Sequence, residues 1–359
     1  MSVLNSSSDN KRPELSKDEA IKLAEAKYGI KVTSIEELNG YDDRNFKLEA
    51  DRKLCDNKNI KDVWPHGYVL KVINAEDSKN LILIEAGNCL MLHLHKHSFN
   101  VPVPILNKDG NLYSLEELAS SPRVFHAIKM LRFEPGFLLN DSKPSAELYE
   151  NVGIYMADID SALESFEHEA YNSCNSLWAL ENVTKIRRYY YAVRDQQLLQ
   201  LVEQYVAQFE QQVLPLIPVL ERGIIHGDFN EQNLLITEEG TQIKALLDFG
   251  DAHYSPYLFE LAICICYMLI HSKDISYGQH IINGYRKRRK LTADEERLIK
   301  ICVCARLCQS LVLGLHSHKI YKNKYVLSTQ QVGWELLRKL DEVDELQLRK
   351  LWQLTYTCE

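Results

Sequence analysis

Residues 224–249 restrict what this chain can fold into more than any other segment does. They read IIHGDFNEQNLLITEEGTQIKALLDF, with two apolar runs, 234–237 and 242–247, on either side of the polar turn 238–240. Short apolar runs separated by such a turn predict a β-hairpin. Because the strands of a hairpin are antiparallel, the residues before its first strand and those after its second strand should lie close together.

Three oxygen-bearing side chains occupy the outer ends of that hairpin. Asp228 and Asn233 precede the first predicted strand, and Asp248 follows the second. Carboxylate and amide oxygens are the ligands that Mg²⁺ takes from a protein, while phosphates and water supply the others. Phosphoryl transfer depends mainly on positioning and charge neutralisation. The pattern therefore predicts that Asp228 accepts a proton from a substrate hydroxyl or orients its oxygen, while Asn233 and Asp248 hold one or two Mg²⁺ ions.

The sequences HGDFNEQN and LLDFGD resemble the catalytic and metal motifs of the aminoglycoside phosphotransferase and choline-kinase-like superfamily, a relative of the protein kinases. The resemblance implies that Asp228 is the catalytic base, that Asn233 and Asp248 bind the metal, and that His226 is a structural residue of the loop. Gly227 stands where protein kinases have arginine, and no A-P-E motif follows LLDFGD. Both departures favour a small-molecule acceptor.

The order of predicted elements indicates an α+β, two-lobed protein-kinase-like fold. The first third of the chain is strand-rich, which predicts a small N-lobe with an antiparallel sheet, and the remainder predicts a larger, mostly helical C-lobe. We predict a disordered tail over 1–15, a nucleotide-binding N-lobe over 16–131, an inter-lobe joint over 132–136, and a catalytic and acceptor-binding C-lobe over 137–359.

Local signals place the first elements of the N-lobe. Ser16 with Glu19 three residues later is a capping box, which predicts the start of a helix, and Gly29 predicts its end. The run GYVLKVI at 67–73 predicts a strand whose one charged residue is a lysine. Apolar residues at helical spacing over 80–97 predict the helix that follows.

The candidates for nucleotide binding lie on these elements. Lys71 is the charge on the apolar strand, and Glu85 lies on the next helix. The resemblance implies that Lys71 contacts the α- and β-phosphates and that Glu85 is its ion-pair partner. The turn before the second strand carries one glycine and does not match G-x-G-x-x-G. Arg44 and Asn45 are the candidates for phosphate contact in that turn.

Further segments resemble the hydroxylysine kinase family: YDDRNF, LIEAGN, LLDFGDAHYSPYLFELAI and CARLCQSLVLG. This resemblance implies 5-hydroxylysine, a product of collagen breakdown, as the acceptor and GTP rather than ATP as the phosphate donor. Met130 and Leu131 lie at the predicted joint, where backbone groups would meet the nucleobase. Because backbone atoms would read the base, the residues themselves leave the choice of purine open.

The acceptor candidates follow the metal motif or lie on a later helix. Asp251 and Glu260 come soon after it, and carboxylates at these positions suit an ammonium group. Arg306 interrupts an otherwise apolar helix, where an unpaired charge is costly. Its partner is either a substrate carboxylate or an acidic residue of the protein. The remaining acceptor candidates are Tyr41, Asp42 and Asp43.

Charge and cysteine content exclude other classes of protein. A formal net charge of −8 and a pI of about 5.9 argue against nucleic-acid binding by phosphate neutralisation. The basic run 286–290 is therefore interpreted as a solvated helix end. Nine cysteines without regular spacing indicate reduced thiols. No run of about 18 apolar residues and no secretion signal occurs, so we predict a cytoplasmic protein.

Three alternatives stay open at this point. The first is a kinase of the same fold for choline, ethanolamine, homoserine or another amino alcohol, which acceptor profiling would separate. The second is a non-catalytic nucleotide-binding scaffold, which the complete set of catalytic and nucleotide-binding candidates disfavours. The third is nucleic-acid binding through 286–290, which predicts strongly salt-sensitive binding. The sequence carries no prediction of oligomeric state.

Overall fold

The chain divides into two units in the computed structural model. Backbone contacts group Met1–Pro135 and Gly136–Glu359 separately, and we call them the N-terminal and C-terminal units. The limits that the sequence assigns to the domains stay predictions. The residues that the structure describes are 12–40, 42–172, 176–321 and 329–356.

The N-terminal unit consists of an antiparallel sheet and two helices. The helices are α1 (Lys17–Tyr28) and α2 (Leu81–Lys96), and the strands are β1 (Ile30–Leu38), β2 (Arg44–Cys55), β3 (Tyr68–Val72), β4 (Pro104–Ile105), β5 (Ser114–Leu118) and β6 (Ser121–Arg132). The strand order is β1-β2-β3-β6-β4, and β5 also pairs with β6. All these pairings are antiparallel, which confirms the predicted sheet type.

Strand β3 shows why this sheet forms. Tyr68, Leu70 and Val72 are buried, whereas Val69 and Lys71 between them are only partly buried. Successive side chains of a strand point to opposite faces, so the buried three face the core of the unit. Lys71 therefore lies on the face opposite that core, where a strand can carry a charge.

Helix α1 begins and ends as predicted. Ser16 accepts a hydrogen bond from the backbone of Glu19, and the Glu19 carboxylate accepts one from the backbone of Ser16. Gly29 ends the helix in the left-handed region, with φ of 63°. These bonds satisfy backbone groups that a helix end leaves unpaired. The capping box is confirmed.

The predicted disordered tail over 1–15 is corrected where the structure describes it. Residues 1–11 lie outside the described residues. Pro13 and Leu15 are buried, and the guanidinium of Arg44 donates to their backbone carbonyls at 3.3 Å and 3.1 Å. Composition alone did not reveal these contacts, because the group that binds the two carbonyls is the guanidinium of Arg44, which lies on β2.

The C-terminal unit is mostly helical. Its helices are α3 (Ala146–Leu163), α4 (Gln196–Gln208), α5 (Tyr257–Ser272), α6 (Gly278–Arg286), α7 (Ala293–Tyr321), α8 (Gln330–Glu342) and α9 (Glu345–Leu351). Its strands are β7 (Phe137–Leu138), β8 (Arg222–Ile225), β9 (Leu234–Ile236), β10 (Ile243–Leu246) and β11 (His253–Pro256). They form two small sheets, β10-β9-β7 and β11-β8. Together the two units give the predicted two-lobed α+β fold.

Helices α5 and α7 form the centre of the C-terminal unit. By length and composition α7 could cross a membrane, but 78% of its most apolar stretch is buried inside the structure, as in the core helix of a globular protein. The cysteines of both Cys-x-Cys pairs, on α5 and α7, are buried and unpaired. This confirms that they pack in the core.

Helices α3 and α6 cross at two glycines. A Cβ at Gly153 would lie 2.1 Å from the carbonyl oxygen of Ile281, and one at Gly284 would lie 2.0 Å from that of Glu150. Any larger residue would therefore push the helices apart. The close crossing brings the basic run 286–290 beside the acidic surface of α3.

The basic run 286–290 is engaged by carboxylates. Its ion pairs are Arg286 with Glu296, Lys287 with Glu150, Arg288 with Asp158 at 3.0 Å, and Arg289 with Glu164 and with Glu221 at 2.7 Å. Such pairs neutralise the positive charge that binding to nucleic-acid phosphates requires. They account for the run without a nucleic-acid ligand.

Candidate active site

The predicted hairpin over 234–247 is present. Strand β9 pairs antiparallel with β10, and Leu234 lies opposite Leu246. Beyond this pair, the Leu247 N–H donates to the carbonyl of Asn233 at 2.8 Å. The hairpin is confirmed, and its open end joins the backbone of Asn233 to the residue that precedes Asp248.

The carboxylate of Asp228 is held at both oxygens. Nδ2 of Asn233 donates to Oδ2 at 3.0 Å and to the Asp228 carbonyl at 2.9 Å. Nη2 of Arg306 lies 3.3 Å from Oδ1. The side chain is still 26% exposed, so part of the carboxylate faces solvent. A carboxylate with a fixed direction and an open side meets the geometric requirement for a base that acts on a hydroxyl.

His226 connects the loop before β9 to the hairpin. Its Nε2 donates to the Leu247 carbonyl at 2.8 Å, and the Asp228 N–H donates to its Nδ1 at 3.3 Å. Complete burial lowers the pKa of the imidazole. The ring is therefore neutral, with its proton on Nε2, as a structural residue requires.

Glu260 corrects one acceptor prediction. Its carboxylate is completely buried on α5 and accepts the backbone N–H groups of His226 and Gly227, the latter at 3.2 Å. Burial raises the pKa of this carboxyl, and the two N–H groups act in the opposite direction. Buried backbone donors need an acceptor. Glu260 therefore holds the loop through these two backbone groups and does not face a ligand.

Gly227 is required by the packing of the loop. It has φ of 79°, in the left-handed region that favours glycine. A Cβ at this position would lie 2.4 Å from the carbonyl oxygen of Asp251 and 2.9 Å from Nδ1 of His253. An arginine of the protein-kinase type cannot be accommodated without moving the loop.

Asp248 and Asp251 lie directly after the hairpin. Asp248 is exposed and has φ of 54°, which is uncommon for residues other than glycine although aspartate tolerates it. The Asp251 carbonyl accepts a hydrogen bond from Nδ1 of His253 at 2.7 Å. With Asp228, these residues give this part of the unit three carboxylates.

The donor atoms of Asn233 and Asp248 fit a hard divalent cation. Nδ2 of Asn233 is engaged by Asp228, which leaves Oδ1 as the donor atom that this amide can offer to a metal. Among the residues that the structure describes, no group of three or more His, Cys, Asp or Glu could hold an ion. A cation at this pair would therefore complete its shell with phosphate and water oxygens, the arrangement typical of Mg²⁺.

Arg306 corrects a second acceptor prediction. It is only 1% exposed, and its partner is Asp228, a protein carboxylate, rather than a substrate. Burial lowers its pKa, but Tyr267, Asp228 and Asp251 raise it by more, so the guanidinium stays charged. Of the two partners left open by the sequence, the structure contains the acidic residue.

In the N-terminal unit, Lys71 has a different partner from the predicted one. Its Nζ lies 3.2 Å from Oδ2 of Asp43, and both side chains are largely buried. Asp43 also accepts hydrogen bonds from the backbone and side chain of Asn74, at 2.9 Å and 3.2 Å. Glu85 is exposed on α2. The Lys71–Glu85 pair therefore stays a prediction, and the partner that the structure shows for Lys71 is Asp43.

Arg44 and Asn45 are engaged within the unit. Arg44 pairs with Glu37 at 2.7 Å, in addition to its two bonds to the N-terminal segment. Nδ2 of Asn45 donates to the Asn39 carbonyl at 3.2 Å and so braces the turn. Arg44 is therefore a structural residue and not the predicted phosphate contact.

Met130 and Leu131 lie inside the sheet. Strand β6 is paired on one side with β3 and on the other with β4, and both residues have partners in each ladder. Their backbone groups are therefore directed at neighbouring strands. Met130 is also completely buried in the core of the unit. The predicted base contact at these two residues is corrected, because the neighbouring strands occupy their backbone groups.

The turn at 39–45 gives no acceptor site by itself. Burial, together with Asp43 and Asp77, raises the pKa of Asp42 to about 7. Asp43 is the partner of Lys71, as described above. Tyr41 lies outside the described residues. The two aspartates are therefore assigned to the surroundings of Lys71 in the N-terminal unit and not to an acceptor site.

Sequence reasoning missed Asn74, and it did not find the backbone contacts of Gln309 and Arg306. Asn74 holds Asp43, and Gln309 donates to the carbonyls of Leu177 and Ala179 at 2.6 Å and 3.2 Å. Arg306 Nη1 donates to the carbonyl of Trp178 at 2.7 Å. The three-residue spacing of Arg306 and Gln309 puts them on one face of α7. That spacing was a visible signal, but it does not show which backbone they hold.

Comparisons with known proteins agree with this fold. Residues 35–298 match the phosphotransferase enzyme family, APH. Hydroxylysine kinases of Mus musculus and Xenopus laevis are 32% and 31% identical to the chain, over 95% and 96% of it and 93% and 94% of their own lengths. A homoserine kinase of Sinorhizobium medicae is 25% identical, over 79% of the chain and 78% of its own.

Solved structures show the same fold at low identity. A microcompartment-associated aminopropanol kinase has a TM-score of 0.70 at 17% identity and covers 91% of this chain and 98% of its own. An amicoumacin kinase in complex with AMP-PNP, Ca²⁺ and Ami has a TM-score of 0.69 at 16% identity, with coverages of 95% and 98%.

The fold and the site thus define a kinase-like phosphotransferase that acts on hydroxyl groups of small molecules. The chain belongs to the APH phosphotransferase enzyme family.

Proposed function

We propose that this protein transfers the γ-phosphate of GTP to the hydroxyl of 5-hydroxylysine, with Asp228 as the catalytic base. The observation that carries the proposal is the Asp228 carboxylate, fixed by Asn233 and Arg306 yet open on one side. The choice of acceptor is supported by the similarity to hydroxylysine kinases over nearly the whole chain. GTP as the donor is what the sequence resemblance to that family implies. We place the reaction in the cytoplasm, in keeping with described cysteines that are all unpaired.

The chemistry follows from this geometry. The acceptor hydroxyl oxygen forms a bond to the γ-phosphorus while the bond to the β–γ bridging oxygen breaks, and the nucleoside diphosphate leaves. Asp228 takes the hydroxyl proton. A fixed carboxylate lowers the barrier because it need not be oriented during the reaction. The hydrogen bonds of the loop to His226 and Glu260 keep that orientation.

Asn233 and Asp248 would hold a divalent cation, Mg²⁺ in our proposal, which would supply neutralisation of charge on the β- and γ-phosphates. Asn233 bonds to Asp228 through Nδ2 and so has its oxygen available for this role. One side chain would thereby orient the base and bind the cation.

The test measures nucleoside diphosphate release with Mg²⁺ and either GTP or ATP. The acceptors are 5-hydroxylysine, homoserine, choline and ethanolamine, and lysine is the matched control because it lacks only the hydroxyl. We expect the highest kcat/KM with 5-hydroxylysine and GTP, and no acceptor-dependent turnover with lysine. A higher kcat/KM for another amino alcohol would contradict the acceptor, and the absence of turnover with every hydroxyl acceptor would favour a scaffold.

A further inference from the structure

A buried arginine touches the proposed base. Arg306 lies on α7 and is 1% exposed, so no substrate group can reach its side chain. A buried cation is costly unless it is paired and its donors are satisfied. The carboxylate that it pairs with is Asp228, with Nη2 and Oδ1 3.3 Å apart.

The other contacts of Arg306 fix the guanidinium. Nη1 donates to the carbonyl of Trp178 at 2.7 Å and to Oε1 of Gln309 at 2.9 Å. The rings of Trp178 and Tyr267 each lie 5.3 Å from the guanidinium carbon, a distance typical of cation–π contacts. Arg306 is therefore a rigid group that cannot follow Asp228 if the carboxylate rotates.

Two partners, one on each oxygen, define the orientation of the Asp228 carboxylate. Asn233 binds Oδ2 and comes from the loop itself, whereas Arg306 binds Oδ1 and comes from a distant helix. A single hydrogen bond leaves a carboxylate free to rotate about its Cα–Cβ and Cβ–Cγ bonds. Bonds to both oxygens from different elements remove that freedom, which is the kind of positioning that raises the rate of a bound reaction.

We propose that Arg306 is a positioning residue of the reaction, which fixes the Asp228 carboxylate toward the acceptor hydroxyl and links it to the 177–179 backbone. This inference rests on the proposed function, because it takes Asp228 as the base. It requires that replacing Arg306 lowers turnover only while the Asp228 carboxylate is present.

A double-mutant cycle tests that requirement. Arg306→Met replaces the guanidinium by an apolar side chain of similar length that suits the two aromatic rings. We expect it to lower kcat by about 100-fold in the native background, with the KM for nucleotide changed less than about 3-fold. In an Asp228→Asn background the same change should lower kcat by less than about 3-fold, since the group to be positioned is already lost.

Two further variants separate positioning from stability. Arg306→Lys keeps the charge but cannot span the carboxylate and the Trp178 carbonyl as a guanidinium does. We expect it to recover only part of kcat. Arg289→Gln removes another buried arginine of the C-terminal unit, which pairs with Glu164 and Glu221 and does not touch Asp228. It should lower Tm as much as Arg306→Met does, without the loss in kcat.

The outcomes are distinguishable. If Arg306→Met lowers kcat equally in both backgrounds, or if Arg289→Gln lowers kcat as much, Arg306 is only structural and the inference is overturned. If Arg306→Met turns over like the native protein, the inference is also overturned while the proposed function stands. If the native protein releases no diphosphate with any hydroxyl acceptor, the proposed function itself fails.

Discussion

The two units hold their candidate residues in different ways. In the C-terminal unit, Asp228, Asn233 and Asp248 belong to one loop and the hairpin that follows it, and hydrogen bonds join these parts directly. In the N-terminal unit, Lys71 lies in a strand and pairs with Asp43 from a turn, while Glu85 is exposed on α2. The backbone of a contiguous segment is set largely by local pairing, even where distant residues such as Arg306 and Glu260 hold its side chains and loop, whereas a site assembled from separate elements depends entirely on how they pack.

Two arginines, one in each unit, show that the partner of a charge depends on the fold. Arg44 and Arg306 are both predicted ligand contacts, and both are engaged by the protein instead. Arg44 fastens the N-terminal segment to the sheet, while Arg306 reaches the proposed base. The residue type indicates a charge that needs a partner, but only the fold decides which partner and whether that partner takes part in the chemistry.

The largest effect should come from the contiguous site. Asp228→Ala removes the group that accepts the hydroxyl proton, so we expect kcat to fall by about 1,000-fold. Binding of nucleotide, measured by titration calorimetry, should change less than about 3-fold. Turnover close to that of the native protein would mean that the base is another residue. The loop and hairpin of the C-terminal unit would then not have the proposed catalytic role.

Asp248→Ala should act on metal and nucleotide rather than on proton transfer. Removing a carboxylate that holds the cation should weaken binding of the Mg²⁺–nucleotide by at least about 10-fold. Glu239→Ala is the matched control, because this exposed acid lies on the turn of the same hairpin. Calorimetric titrations at several Mg²⁺ concentrations check the result. Equal losses in both variants would remove Asp248 from the metal site.

The Lys71–Asp43 ion pair of the N-terminal unit is tested by removing its carboxylate. Asp43→Ala should raise the KM for nucleotide by about 10-fold, because Lys71 loses the carboxylate that holds it in place. Glu85→Ala, the matched removal of an exposed acid, should change KM less than about 2-fold. Steady-state kinetics at saturating acceptor distinguish the two. A larger effect at Glu85 would restore the partner predicted from the sequence.

The smallest effect concerns Asp42 and pH. Its folded-state pKa of about 7 lies above the ordinary value of 3.8, so the folded state holds a proton that the unfolded state releases. The free energy of unfolding should therefore fall as pH rises from about 4 to about 7, by at most about 4 kcal/mol for this group. Asp42→Asn should flatten that slope in urea unfolding. An unchanged slope would mean that Asp42 is ionised in the fold.

Local sequence patterns were sufficient to predict helix α1, strand β3 and the hairpin of the contiguous site. Apolar runs on either side of a short polar turn favour a hairpin whose ends meet, and the β9–β10 pairing has this form. The capping box at Ser16 and the alternation of β3 are equally local. Such features are predictable because the interacting groups are neighbours in the chain, so their geometry follows from backbone rules alone.

The partners of the isolated charges depend on long-range packing, which local sequence patterns do not show. Nothing near Arg306 in the chain indicates Asp228, and nothing near Glu260 indicates the backbone of the loop above it. A buried charge requires a partner of opposite sign or a set of hydrogen-bond donors, but that requirement is met by whichever group the packing of distant helices and loops brings within reach. Pairing at long range is therefore a property of the fold and not of the local sequence.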